Sequence, residues 1–146
     1  MRLELTRRAD YAVRASLALA RSTGTLRSGR YLADATNIPP RFVAQVMGDL
    51  VAAGLVEGRT GRAGGYRLAR PAGEVSLLEV VEAVEGDARR RTCVLRSSPC
   101  SRDGVCEVHH IFSAAQDALL ARLADASLAS VGASWPAGGP SVEPTG

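Results

Sequence analysis

Tyr31-Leu-Ala-Asp-Ala-Thr-Asn37-Ile-Pro-Pro40-Arg-Phe-Val-Ala-Gln-Val-Met-Gly-Asp-Leu50-Val-Ala-Ala-Gly54 is the stretch that decides the fold. It predicts a short helix from Tyr31 to Asn37, with Leu32 and Ala35 turned inward and Asn37 closing it. Ile38-Pro39-Pro40 is a tight turn. A second helix is expected from about Pro40 to Ala53, because Phe42, Val43, Val46, Met47, Leu50 and Val51 recur at helical spacing. Gly54 supplies the left-handed residue beyond its end. Two short helices joined by a tight turn form a helix-turn-helix. The second is then the reader helix, with Arg41, Ala44, Gln45 and Gly48 facing outward.

Downstream, Leu55-Val56-Glu57 reads as a strand and Tyr66-Arg67-Leu68-Ala69 as its returning partner. Between them lies a glycine-rich tip, Gly58 to Gly65, carrying Arg59 and Arg62. A strand, a basic tip and a strand after a helix-turn-helix make a wing. The tip matches neither nucleotide-binding glycine pattern, and no helix follows it directly. Upstream, Thr6 is placed to cap a helix from Arg7 to about Arg21, with Ala9, Ala12, Val13, Leu17 and Ala20 at helical spacing. Asp10 lies in its early turns, where the helix dipole favours a carboxylate. Ser22 to Gly29 is a polar loop.

Pro71 to Val75 is a linker, and Ser76-Leu-Leu-Glu79 is a capping box opening a helix that runs to Glu85 and stops at Gly86. From Glu107 to about Leu128, Val108, Ile111, Phe112, Ala115, Leu119, Leu123 and Ala126 form a long apolar stripe. It exceeds what the small N-terminal domain needs, so a partner helix is implied, most simply from a second copy of the chain. Residues 132–146 are rich in Pro, Gly and Ser and are expected to be a disordered tail. The expected fold is mainly α with a small β wing. A winged helix-turn-helix domain spans 1–75, a cysteine loop and a long C-terminal dimerisation helix span 76–131, and the tail follows.

All three cysteines of the chain, Cys93, Cys100 and Cys106, fall in one segment at C-x6-C-x5-C spacing, with both histidines, His109 and His110, directly behind. Thiols and imidazoles gathered in one place point to a site. The 146 residues suit one domain with an appended helix or tail, and hydrophobic residues at 46% suffice for a core. A net charge of +3 permits an anionic polymer as partner without requiring one. No apolar run reaches transmembrane length and the N-terminus lacks a signal-peptide apolar core, so a cytoplasmic protein with no membrane partner is expected. In a reducing compartment three clustered cysteines read as metal-binding or redox-active rather than as a disulfide frame.

Taken together, these pieces resemble the Rrf-type iron–sulfur winged-helix regulators, the IscR/NsrR-like family. The resemblance covers roughly residues 1–128. It rests on Leu5-Thr6 through Asp10-Tyr11-Ala12-Val13-Arg14, on Leu50 to Leu55 with Gly64-Gly65-Tyr66-Arg67-Leu68-Ala69, on Ser76 to Gly86, and on the cysteine triplet. It implies a homodimer that binds double-stranded DNA at palindromic operators. It also implies a [2Fe–2S] or [4Fe–4S] cluster on Cys93, Cys100 and Cys106. The fourth ligand has two candidates: His109, which matches the histidine of IscR-like members, and Asp10, which matches the position from which a partner's carboxylate completes the cluster in NsrR-like members. The gap of six between Cys93 and Cys100 departs from the five of several relatives, so cluster type is not carried over.

A Cys₃His set also suits structural zinc, although no C-x2-C knuckle is present. For DNA, Arg41 and Gln45 are the candidate base and phosphate contacts. Arg59 and Arg62 are placed to enter a minor groove, and Arg8 and Tyr31, with Arg7, to touch the backbone. The wing-arginine position of IscR-like members holds Thr60, and their operator-discriminating acid is Ala44, so operator sequence is not carried over. The expected function is a repressor whose cluster senses redox state, nitric oxide or iron–sulfur supply. The alternatives are a zinc- or thiol-switched winged-helix regulator without iron, or a small redox or electron-transfer protein. No nucleophile–base arrangement supports an enzyme.

Overall fold

The computed structural model describes residues 4–86 and 107–134. The elements in chain order are α1 (Arg7–Arg21), α2 (Gly29–Thr36), α3 (Pro40–Ala52), β1 (Val56–Arg59), β2 (Gly65–Leu68), a 3-10 turn (Ala72–Glu74), α4 (Leu77–Glu85), α5 (Glu107–Asp125) and α6 (Leu128–Ser134). The fold is mostly helical with a two-stranded antiparallel wing.

The Thr6 side chain accepts a hydrogen bond from the Ala9 N–H, which starts α1 where its sequence predicts. The buried face of α1 is nearly all alanine, with Ala9, Ala12, Ala15 and Ala18 beside Leu19. Small side chains let neighbours approach closely, and α1 packs against α2, α3, α4 and α6 at once. α2 begins earlier than Tyr31, because Ser28 caps it by accepting the Tyr31 N–H at 3.0 Å. That start turns Leu32 and Ala33 into the core and leaves Ala35 exposed, against the sequence expectation for Ala35. Asn37 takes the left-handed conformation at its end (φ 57°). In α3, Val43, Val46, Met47 and Leu50 are buried, Val51 is exposed, and Arg41, Ala44, Gln45 and Gly48 face outward.

In the wing, Val56 faces Leu68, Glu57 faces Arg67, Gly58 faces Tyr66 and Arg59 faces Gly65. Glu57 and Arg67 pair across the strands at 2.8 Å. A single β-bridge adds Arg27 to this ribbon: the Arg27 N–H donates to the Tyr66 carbonyl at 2.8 Å and the Tyr66 N–H to the Arg27 carbonyl at 2.7 Å. This contact explains the Gly64-Gly65 pair. Gly65 has φ +148°, and a Cβ on it would sit 2.6 Å from the Arg27 carbonyl oxygen. A Cβ on Gly64 would sit 2.2 Å from that of Arg59.

Both bonds of the capping box at α4 are made: the Ser76 hydroxyl accepts the Glu79 N–H at 3.1 Å and Glu79 accepts the Ser76 N–H at 2.9 Å. Ser76→Ala is expected to lower unfolding free energy by about 1 kcal/mol in a urea titration. Burial pushes the Glu79 carboxyl up, but the Ser76 N–H and the Arg70 guanidinium at 2.7 Å outweigh it and hold the group below its ordinary value. A depressed carboxylate contributes stability above its unfolded pKa and loses it as pH falls through the folded value. Wild type and Glu79→Gln should therefore differ at neutral pH and converge in acid.

α4 and Leu128 join the same core as α1–α3. Packing is thus continuous across the boundary between residues 75 and 76. The long C-terminal helix predicted from Glu107 to about Leu128 is broken: α5 stops at Asp125 and α6 starts at Leu128. Between them the backbone pairs with the start of α4, Leu77 N–H to the Ala126 carbonyl at 2.8 Å and Leu128 N–H to the Val75 carbonyl at 2.9 Å. Ser127 accepts the Ser130 N–H at 3.1 Å, which restarts the helix, and Leu128 becomes fully buried. Residues 132–134, read from sequence as the start of the tail, belong to α6; residues 135–146 lie outside the described residues. Among the described residues no helix is long and apolar enough to cross a membrane.

Candidate functional site

Of the twelve arginines among the described residues, four meet a carboxylate and eight do not, the sequence-predicted contacts Arg41, Arg59 and Arg62 among the eight. Arg8, Arg14, Arg67 and Arg70 pair with Asp49, Asp10, Glu57 and Glu79 respectively. Arg41, Arg59 and Arg62 meet no carboxylate among the described residues, and all three are exposed. Arg41 stands at the start of α3 with its guanidinium 4.8 Å from the centroid of the Phe42 ring. Gln45 is exposed one turn later on the same helix. Arg59 ends β1, and Arg62 sits on the wing tip. Cations without acid partners are the ones available to phosphate.

Arg8, a candidate backbone contact from sequence, donates to Asp49 on α3 and ties α1 to the reader helix while its side chain stays 48% exposed. Tyr31 is 39% exposed, and the Arg27 guanidinium lies 4.3 Å from its ring centroid. Arg27 and Ser28 were not singled out from sequence. Ser28 carries a legible signal, a helix-capping residue just before an apolar-periodic run. Arg27 carries none, because its bridge to Tyr66 spans 39 positions.

Cys93, Cys100 and Cys106 lie outside the described residues. Cys106 directly precedes α5, and His109 stands in the first turn of that helix, exposed, with Nε2 3.3 Å from the Ser113 hydroxyl oxygen. The other candidate ligand, Asp10, is engaged within its own chain. Arg14 donates Nε–H to its Oδ1 at 3.0 Å and a terminal N–H to its Oδ2, and a further Arg14 N–H reaches the Thr36 carbonyl at 3.3 Å. The carboxylate therefore orients the guanidinium that holds the end of α2 to α1, while staying 40% exposed. The segment bearing the cysteines leaves α4 just past Glu85, whose carboxylate accepts a hydrogen bond from the Thr6 hydroxyl.

A family model described as iron-dependent transcriptional regulator, Rrf2, matches residues 5–134. The chain belongs to the Rrf2 family. Rrf2 members are transcriptional regulators rather than enzymes. A transcriptional repressor of Streptomyces coelicolor, NsrR, is 31% identical over 123 residues, covering 83% of this chain and 82% of that protein. A protein of Mycobacterium tuberculosis named for a helix-turn-helix transcriptional regulator is 39% identical over 85 residues, 58% of this chain. The chain spans about half, 53%, of that relative's length. Among solved structures, CymR of B. subtilis, described as a global cysteine regulator, superposes with a TM-score of 0.76 at 20% identity, covering 92% of this chain and all of that one. IscR of T. potens superposes with a TM-score of 0.73 at 22% identity, covering 88% of this chain and 85% of that one. These likenesses establish the Rrf2 winged-helix fold.

Proposed function

We propose that this Rrf2-family protein is a homodimeric DNA-binding repressor whose operator affinity is set by an iron–sulfur cluster on Cys93, Cys100 and Cys106. The carrying observation is the match to an iron-dependent regulator family together with three thiols in the segment that joins α4 to α5. The donor set fits such a group, since thiolates are the ordinary ligands of iron–sulfur clusters and imidazole is an accepted replacement. His109 would be the fourth donor, because its ring is exposed and it follows Cys106 by three residues in sequence, whereas Asp10 must first give up its bonds to Arg14. A bound cluster, [2Fe–2S] or [4Fe–4S], would supply a centre sensitive to redox state, nitric oxide and iron–sulfur supply.

The chain's own residues supply the coupling. Displacing the cysteine segment pulls on Glu85, which is bonded to Thr6 at the start of α1. Two residues on, Arg8 bonds Asp49 of the reader helix α3. A small shift of the segment thereby changes how two reader helices are spaced on a palindromic operator, where half-site spacing is exacting. The second copy packs along α5, whose apolar side chains meet little of their own chain: Ile111 is 70% exposed and Leu119 45%. On DNA, Arg41 and Gln45 read the major groove, Arg59 and Arg62 enter the minor groove, and Tyr31 contacts the backbone.

Anaerobic purification tests this reading. A brown protein with broad visible absorption, iron and acid-labile sulfide is expected, and its affinity for the region upstream of its own gene should change when the cluster is removed. A colourless, iron-free protein gripping that region equally before and after reconstitution would leave a zinc- or thiol-switched regulator. No binding to any duplex would leave the small redox protein. Replacing both Arg59 and Arg62 by Ala should weaken specific and non-specific DNA alike. It should also flatten the plot of log affinity against log salt by about two per protein copy, measured by fluorescence anisotropy.

A further inference from the structure

Among the described residues the Arg27 side chain makes no hydrogen bond and no ion pair. Its Nε is buried with no hydrogen-bond partner, and among the described residues its guanidinium meets no carboxylate. A buried donor left unpaired is uncommon and calls for an explanation. The residue is nevertheless held firmly. Two backbone hydrogen bonds clamp it to Tyr66 of β2, and its guanidinium is stacked on the Tyr31 ring. A guanidinium fixed in plane by an aromatic face, with its fork of donors unspent, is preorganised for a tetrahedral oxyanion.

Its place in the fold says which oxyanion. At Gly29, two residues on, a Cβ would lie 3.8 Å from Val43 of α3 and 4.0 Å from the Tyr66 ring. Arg27 therefore sits where the start of α2, the reader helix and the base of the wing converge. When a reader helix occupies a major groove and its wing the adjoining minor groove, the sugar-phosphate strand between the grooves must cross that junction. We propose that Arg27, oriented by Tyr31, is a DNA-backbone anchor that grips a phosphate on the strand separating the two grooves. It contributes affinity without sequence preference, and it registers the wing against the reader helix through the Arg27–Tyr66 bridge. The proposal rests on the DNA-binding reading and adds a residue and a phosphate to it.

The test is fluorescence anisotropy on the full chain, with operator and scrambled duplexes, from 50 to 300 mM salt (on the order of the range over which phosphate contacts are titrated). Arg27→Ala is expected to lower affinity about tenfold on both duplexes and to reduce the slope of log affinity against log salt by about one per protein copy. Tyr31→Leu, which removes the face that orients the Arg27 guanidinium, should lose several-fold. Arg122→Ala, on α5, is the control and should leave the slope unchanged. An unchanged slope for Arg27→Ala overturns the proposal, even if affinity falls, because the loss then comes from the fold. A sequence-selective loss overturns it too. Wild type showing no salt-dependent binding to either duplex would overturn the DNA-binding reading itself, a distinct outcome.

Discussion

Cys106→Ser is expected to abolish iron binding and to move operator affinity by about tenfold, within the 5- to 150-fold range usual for coupling between two sites. Serine matches cysteine in shape, but its hydroxyl stays protonated where a thiol ionises, so it offers iron a neutral and far weaker donor. With three thiols in the chain no spare cysteine can take its place. Cys106 also adjoins the first residue of α5, so on the proposed reading its loss would separate the cluster from the helix proposed to pair with a second copy. Iron and sulfide analysis checks the first half and anisotropy on the operator the second. Wild-type iron content in Cys106→Ser would show that the metal is held elsewhere. The same assay on His109→Ala and Asp10→Ala names the fourth ligand. Since Asp10 also secures Arg14 and the end of α2, its variant needs a melting curve beside it, and Asp10→Asn keeps a hydrogen-bonding group there.

Ile111→Asp is expected to convert the dimer to monomers and to weaken operator binding by about a hundredfold or more. Two tethered half-site binders gain roughly 10² to 10⁴ over one, and that gain vanishes when the link is cut. Ile111 is 70% exposed in the single chain and belongs to no part of its core, so the winged helix should melt as before. In a helix pair the new carboxylate would have to be buried unpaired at the seam, which is strongly unfavourable. Analytical ultracentrifugation reads the mass directly. A variant that stays dimeric would mean that α5 is not the subunit contact. Leu128→Ala is the contrasting change. It empties a fully buried site under α1 and should cost about 2–5 kcal/mol of stability, with little direct effect on the mass.

Local signals carried most of the elements. The Thr6 cap, the Asn37 stop, Gly54 and the Ser76–Glu79 box act within four residues of themselves, and each stands where it was expected. The outward residues of α3 were legible for the same reason, since helical periodicity alone separates Gln45 from Val46. The gathering of thiols and histidines was plain in the chain, and the family match shows that the chain belongs to the Rrf2 regulators.

Other features were settled only by contacts between distant residues. The long apolar stripe gave no sign of breaking at Ala126, because the break is imposed by residues 75–77 pairing with 126–128 and by the burial of Leu128. Asp49 is nowhere near Arg8 in sequence, so the pairing of Arg8 could not be read from either residue. Arg27 carries no signal of its own in the sequence, since its setting comes from the bridge to Tyr66 and the ring of Tyr31. Spacing along a chain specifies which residues form helices, turns and caps, because those forces act over a few positions. Which arginine is spent on a carboxylate and which is left for a phosphate depends on packing that only the folded chain creates.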